Sequence, residues 1–380
     1  MNGQNNNNNT VTDAICGRNA VRELIRSGKP VDKILVQRGE REGSIRLVVA
    51  EAVAAVLRGE KFSGFDDKEE VELGQSRIVT TGDAYAYLKI AEGCSNTCAY
   101  CIIPKLRGKY RSRTMEHVLA EARQLADSGV KELIVIAQDI TRYGMDWDGK
   151  PHLADLLEEL CKLDFHWIRL HYLYPEWIDD RLIDVIARED KILKYLDIPL
   201  QHCNDKILKK MNRRGNKKYL CALLDKLRER IPGLVLRTSI IAGLPGEGEE
   251  EFDELCDFLR EQKLLRAGVF PYSPEEGTRA AKMERVDSDE AARRAERIVD
   301  IQSEIIDAWN DERQGDVMEV LCEGFDGQSM LFVGRSYAES PDIDGRIYFS
   351  APRDVAAGEF VPVRITGAMD GELTGELAEE

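Results

Sequence analysis

Three cysteines, Cys94, Cys98 and Cys101, in the stretch Cys-Ser-Asn-Thr-Cys-Ala-Tyr-Cys constrain this chain more than any other feature. Three thiolates in one loop bind metal without saturating it. A structural zinc site wants four protein ligands, whereas a 4Fe-4S cluster held by three cysteines leaves one iron open to a small molecule. The open iron suits chemistry better than scaffolding. It can chelate an amino group and a carboxylate, the pair that S-adenosylmethionine carries beside its sulfonium. An electron from the cluster would then cleave a carbon–sulfur bond and give a 5′-deoxyadenosyl radical, while the protein holds the cofactor and excludes water. Tyr100, between the last two cysteines, would shield the cluster, and zinc is the alternative occupant.

Nine cysteines in 380 residues, an odd number with three clustered, argue against a secreted disulfide framework and for a reducing cytoplasm. The longest apolar runs, such as 133–137, are of strand length, far from the roughly 20 residues of a membrane helix. Met1 to Thr10 is a polar asparagine run without the basic start and apolar core of a signal peptide, and residues 1–13 read as disordered. The formal net charge of −16 makes the protein a poor polyanion binder and a plausible partner for something basic.

Beyond an acidic linker, strand-like and helix-like segments alternate. Strands are expected at Tyr85–Ala91, Glu132–Ala137, Trp167–Tyr172, Lys194–Ile198, Leu234–Ile240 and Ala267–Pro271. Helices are expected at Met115–Ser128, His152–Cys161, Asp180–Arg188, Asn204–Met211, Lys218–Arg230, Glu249–Gln262 and Asp289–Asn310. Six such units imply an α/β fold, a partial (β/α)6 barrel whose site lies at the C-terminal ends of its strands. Residues after Trp309 switch to short β segments, Val317–Cys322, Leu331–Arg335, Arg346–Ser350 and Phe360–Ile365, which read as a small all-β barrel. From Trp309 to Glu380 there are five arginines, no lysines and sixteen acidic residues, a net of −11. Such a barrel should repel a phosphate backbone and welcome a basic protein. The expected organisation is thus residues 1–13 disordered, 14–52 a small α/β fragment, 53–82 a linker, 83–308 the barrel domain and 309–380 the β-barrel.

Further polar residues fall at the expected strand ends. Gln138 and Asp139 could cap a helix or touch a cofactor. Arg237 is charged amid apolar neighbours, so it wants an anion, the cofactor carboxylate being one candidate. Gly243 to Glu247, the turn Gly-Leu-Pro-Gly-Glu, could close a loop or let backbone approach the adenosine. His166, His171 and His202 lack metal spacing and suit core or hydrogen-bonding roles. Cys161, Cys221, Cys256 and Cys322 read as ordinary buried thiols, and Cys203 as ambiguous. The run Lys209, Lys210, Arg213, Arg214, Lys217 and Lys218 reads as a solvated helix end, or as a receiver for an acidic partner or RNA phosphate.

AYLKIAEGCSNTCAYCIIPKLRGKYRSR (86–113), IRLHYLYP (168–175), DIPLQH (197–202), MNRRG (211–215), RTSIIAGLPGE (237–247) and PYSPEEGT (271–278) together resemble the radical S-adenosylmethionine methylthiotransferases. The likeness covers residues 53–380, including a C-terminal TRAM barrel. It is greatest to the RimO type, which modifies an aspartate of ribosomal protein S-twelve. The resemblance implies that Cys94, Cys98 and Cys101 hold the cluster that binds and cleaves S-adenosylmethionine. It implies ribosomal protein S-twelve or the small ribosomal subunit as partner, with a reductant such as flavodoxin. The acidic barrel favours a basic protein over tRNA, so a tRNA methylthiotransferase is the second reading and a non-catalytic ribosome-binding module the third.

Members of this family carry an N-terminal domain with three further cysteines for an auxiliary 4Fe-4S cluster. Here residues 14–50 resemble instead the start of a SpoU/TrmH-type rRNA methyltransferase substrate-binding domain, and Cys16 is the only cysteine before Cys94. The expectation is a chain that cleaves S-adenosylmethionine but is impaired in inserting sulfur, with a fused or truncated reading frame as the simplest cause.

Overall fold

The structure, a computed structural model, describes Thr81 and residues 84–378. The expectations for residues 1–80, the SpoU-like fragment and the linker among them, lie outside the described residues. Six strands follow one another in space as in sequence: β1 (Tyr85–Lys89), β2 (Glu132–Ile136), β3 (Trp167–Leu170), β4 (Ile192–Asp197), β5 (Val235–Ala242) and β6 (Arg266–Pro271). Every neighbouring pair is parallel, and the sheet stays open between β1 and β6.

The crossover helices are α1 (Met115–Asp127), α2 (Leu153–Leu160), α3 (Asp180–Arg188), α4 (Asp205–Lys210), α5 (Lys217–Arg230) and α6 (Glu249–Gln262), and α7 (Ser288–Glu312) follows the last strand. Their starts are fixed by side chains that take up orphan backbone donors. Thr114, Asp179, Asn204, Asn216 and Asp287 each accept from an N–H of the first helical turn. Three glutamates open α6, where the positive end of the helix dipole favours them.

The two faces of the sheet differ. Ala86, Leu88, Leu133, Val135, Ile168, Leu170, Leu196, Leu236 and Ile240 belong to one apolar core shared with the helices. Alternation along each strand sends their neighbours to the other, concave face, and those neighbours include Tyr87, Glu132, Arg169, Tyr195, Asp197, Arg237 and Arg266. A parallel sheet ordinarily buries apolar residues on both sides. Here one side is built from charge.

The second element is a closed five-stranded barrel of β7 (Val317–Asp326), β8 (Leu331–Arg335), β9 (Ile347–Ser350), β10 (Phe360–Met369) and β11 (Glu372–Leu377), in the order β8-β9-β11-β10-β7. The sequence pattern announces four of these strands. β11 pairs in parallel with β9 and antiparallel with β10. Its sequence, Glu-Leu-Thr-Gly-Glu-Leu, buries only Leu373, which is too little apolar alternation to announce a strand.

The barrel supplies what the charged face needs. Residues 335–344, running out of β8, lie against it. Glu132, fully buried, receives Arg169 Nε at 2.6 Å and Arg335 Nη2 at 2.8 Å. Arg169 also donates to the Tyr337 carbonyl at 2.9 Å, and Arg266 to Glu339 at 2.7 Å. Farther along, the Tyr195 hydroxyl reaches Asp344 at 2.6 Å and His171 Nε2 meets Ser340 Oγ at 2.9 Å. Removing one partner of a buried ion pair leaves an uncompensated charge and costs about 3–5 kcal/mol.

Burial opposes ionisation of Glu132, yet Arg169 and Arg335 hold its carboxyl at about 2 against an ordinary 4.5. Because the folded value lies below the unfolded one, the stabilisation is present above pH 4.5 and is lost as pH falls through 2. Glu132→Gln should therefore lower the urea midpoint at neutral pH by the equivalent of about 3–5 kcal/mol. Its stability should also fall less steeply than the parent's between pH 4.5 and 2. Equal midpoints at pH 7 would contradict the central role given to this carboxylate.

Candidate active site at the cysteine loop

The cysteine loop leaves the C-terminal end of β1 through a two-residue strand, Ala91–Glu92, that pairs with Arg111–Ser112. Gly93 has φ +75°, and a β-carbon there would lie 2.2 Å from the Lys109 carbonyl oxygen. Only glycine lets the chain turn so closely against its own return. Cys94 N–H then donates to the Gly108 carbonyl at 3.1 Å. Farther round, Ala99 N–H donates to the Met211 carbonyl at 2.8 Å, and Ala280 N–H donates to the Ala99 carbonyl at 2.9 Å. The loop is thus clipped between the end of α4 and the segment after β6.

All eight cysteines among the described residues are free thiols. Cys94 is buried and Cys98 and Cys101 half-buried, the three lying close enough for charge on one to act on another. Burial pushes the Cys94 thiol up to about 11, the Asn96 N–H working against it, and burial also raises Cys101. Among the described residues no three histidine, cysteine or carboxylate side chains gather as around a single ion. Three thiols are one short of the four protein ligands of a structural zinc site and match the three cysteines of a cluster with an open iron.

Cys98 has the most built surroundings. Tyr174 Oη lies 3.5 Å from its sulfur and Arg213 Nη1 lies 3.8 Å away. Arg213 is 8% exposed, stacks its guanidinium 4.2 Å from the centre of the Tyr174 ring, and donates to the Pro199 carbonyl at 2.5 Å. The sequence pattern gives Arg213 only as part of a basic run, a solvated helix end or a receiver for an acidic partner or RNA phosphate, and gives Tyr174 no role. Arg213 hides in a run of lysines and arginines, but the buried positions Ile207, Leu208 and Met211 just before it carry the inward face of α4 towards the loop.

Of the residues singled out in sequence, Asp139 is drawn to the loop. It is fully buried after β2, accepts from the Thr141 N–H at 3.1 Å as a helix cap, and accepts from Asn96 Nδ2 at 3.0 Å. Arg142 holds the other side of Asn96 at 3.0 Å. Gln138, beside it, is half-buried at the strand end.

Gly243 and Glu247 form a separate unit: Gly243 N–H donates to Glu247 Oε1 at 2.9 Å, and Arg294 of α7 donates to the same oxygen at 3.0 Å. His202 Nε2 lies 3.3 Å from the other oxygen, Oε2. Burial opposes ionisation of Glu247, but His202, the Gly243 amide and Arg294 keep its carboxyl below the usual range. Arg237 sits deeper, on the concave face, paired with Asp197 at 3.0 Å and with Asp344 at 3.7 Å. His171 lies 3.5 Å from the same Asp197. Cys203, buried after β4, donates to a backbone carbonyl of α6.

Comparison with known proteins agrees with this arrangement. The Radical SAM superfamily model matches residues 88–259 and the TRAM domain model residues 315–378. The ribosomal protein uS12 methylthiotransferase RimO of Symbiobacterium thermophilum is 46% identical over 336 residues, 87% of this chain and 69% of that protein. The RimO of Pelotomaculum thermopropionicum is 49% identical over 304 residues, 79% of this chain and 68% of that protein. Among solved structures, coproporphyrinogen III oxidase (HemN) from Escherichia coli, a radical SAM enzyme, covers 75% of this chain and 67% of its own. Its TM-score is 0.46 at 14% identity. On the strength of the two sequence relatives, the chain belongs to the RimO family of radical SAM methylthiotransferases.

Proposed function

We propose that this protein methylthiolates ribosomal protein uS12 on an aspartate, using one 4Fe-4S cluster held by Cys94, Cys98 and Cys101 together with S-adenosylmethionine. The observation that carries the reading is the loop of three free thiols at the end of β1, in a chain nearly half identical to RimO proteins over most of its length. When bound, the cluster and its cofactor supply one-electron cleavage of a carbon–sulfur bond. The chain's own residues do the rest. Asp139 and Arg142 fix Asn96 and with it the loop's path, and the Met211 and Ala280 backbone hold Ala99 from either side. In this reading Gln138 and the Gly243–Glu247 turn border the cofactor, and Arg237 orders the face beneath it.

The acidic barrel supports a basic protein as substrate. Its net of −11 repels tRNA phosphates, which makes a tRNA substrate the weaker reading. We further propose a reducing cytoplasm as the working compartment, where an electron carrier such as flavodoxin is available and thiols stay free. Among the described residues no helix is long and apolar enough to cross a membrane. The five other described cysteines are dispersed over the end cap of α2, α5, α6, β7 and the β4–α4 connection. A second three-cysteine site is not assembled from them. With Cys16 as the only further thiol, we assign one cluster per chain and expect sulfur insertion to be slow relative to cofactor cleavage.

Anaerobic reconstitution should give about four irons per chain rather than eight, with 5′-deoxyadenosine formed from S-adenosylmethionine and dithionite. Cys98→Ala should retain the fold by circular dichroism while losing most of its iron and at least about tenfold of the 5′-deoxyadenosine, since one of three thiolate ligands is gone. A parent protein that binds no iron, or binds iron without cleaving the cofactor, sinks the proposal. Mass spectrometry of uS12 after incubation tests the substrate, and an unmodified uS12 beside a modified tRNA would hand the case to the other branch.

A further inference from the structure

Arg213 is a buried cation, and among the described residues no carboxylate lies at ion-pair distance from its guanidinium. Its neighbours are the Pro199 carbonyl, the Tyr174 ring and the Cys98 sulfur. Glu176 feels its charge, but both Glu176 carboxylate oxygens are buried without a hydrogen-bond partner. Arginine is almost never this enclosed unless something negative faces it. The atom on offer is Cys98 Sγ, and a neutral thiol does not answer the need. A thiolate bound to iron does.

A hydroxyl adds to the same sulfur. Tyr174 Oη lies 3.5 Å from Cys98 Sγ, and half-buried Tyr100 stands between Cys98 and Cys101 in sequence. Charge and hydrogen bonds at cluster sulfurs are among the levers that set an iron–sulfur potential. The group is also rigid. The planar guanidinium is pinned on one side by the carbonyl and on another by the ring, so its charge cannot swing away to solvent.

We propose that Arg213, backed by Tyr174, raises the reduction potential of the cluster at Cys98, favouring entry of the single electron that the reaction consumes. In that step one electron from an external donor such as dithionite adds one negative charge to the cluster, and no bond forms or breaks. A fixed positive charge 3.8 Å from one ligand sulfur stabilises the more negative, reduced form. Arg213 acts through Cys98 and is therefore a positioning residue. The proposal rests on the assignment of Cys98 as a cluster ligand.

The test is a spectroelectrochemical titration of the reconstituted full-length protein, followed by electron paramagnetic resonance, with iron content measured on every sample. At a fixed poise, Arg213→Gln should hold about tenfold less reduced cluster relative to oxidised, a shift of about 59 mV for one electron. Arg213→Lys, which keeps the charge, should stay within about threefold of the parent. Tyr174→Phe keeps the cation but removes the hydroxyl from Cys98, and should lower the ratio about threefold.

A parent protein without iron refutes the cluster assignment beneath this proposal. An iron-replete Arg213→Gln variant with the parent's potential refutes the proposal itself. If Arg213→Gln loses its iron, Tyr174→Phe decides: a lowered reduced fraction supports the clamp, and an unchanged one overturns it.

Discussion

The carboxylate of Glu132 is the interaction on which the rest of this structure depends. It opens β2, lies wholly out of solvent, and is met from one side by Arg169 of the neighbouring strand and from the other by Arg335 of the C-terminal barrel. A charge in that position is tolerable only because both guanidinium groups and the carbonyls behind them satisfy it. Sheet and barrel therefore need each other. Without residues 335–344, the concave face would keep only the Glu132–Arg169 pair among the side-chain hydrogen bonds of Glu132, Arg169 and Arg266. One connection of the TRAM barrel thus completes the interior of the neighbouring domain.

From that seat the order of the molecule can be followed upwards. Glu132, Arg169 and Arg266 fill the N-terminal half of the concave face. Tyr195, Asp197, Arg237, Asp344, His171 and Ser340 continue the polar contacts towards the C-terminal ends of the strands. Above them lies the cysteine loop, with Asp139 and Asn96 on one side and Arg213 with Tyr174 on the other. Charge is thus layered under the site. Apolar packing carries the helices on the outer face, while ion pairs and hydrogen bonds carry the inner one.

Much of this was legible in the chain. Asp180–Arg188 and Glu249–Gln262 are helices whose ends coincide with the pattern of their apolar residues and acidic starts, and Leu331–Arg335 is the strand its alternation announces. What could not be read is long-range. Arg237 asks for an anion, but nothing nearby in sequence names Asp197 and Asp344 as the ones that reach it. Arg213 looks like one more lysine or arginine in a basic run because its burial comes from Tyr174 and Pro199, far away in sequence. The strand Glu372–Leu377 is hidden for the opposite reason, since all of its positions but Leu373 stay at least partly exposed and do not require apolar residues.

The clip around Ala99 has a bearing on how such a protein is made. Thr97 and Ala99 lie just after β1, near the start of the barrel domain, yet Arg279 and Ala280, which hold them, come after β6, a separation of 182 residues for the Thr97–Arg279 pair. Contacts this distant form late, because the chain between them must be ordered first. Until β6 has joined the sheet, the three thiols sit on an unclosed loop at an open edge. The loop is therefore held from both sides only once the segment after β6 is in place.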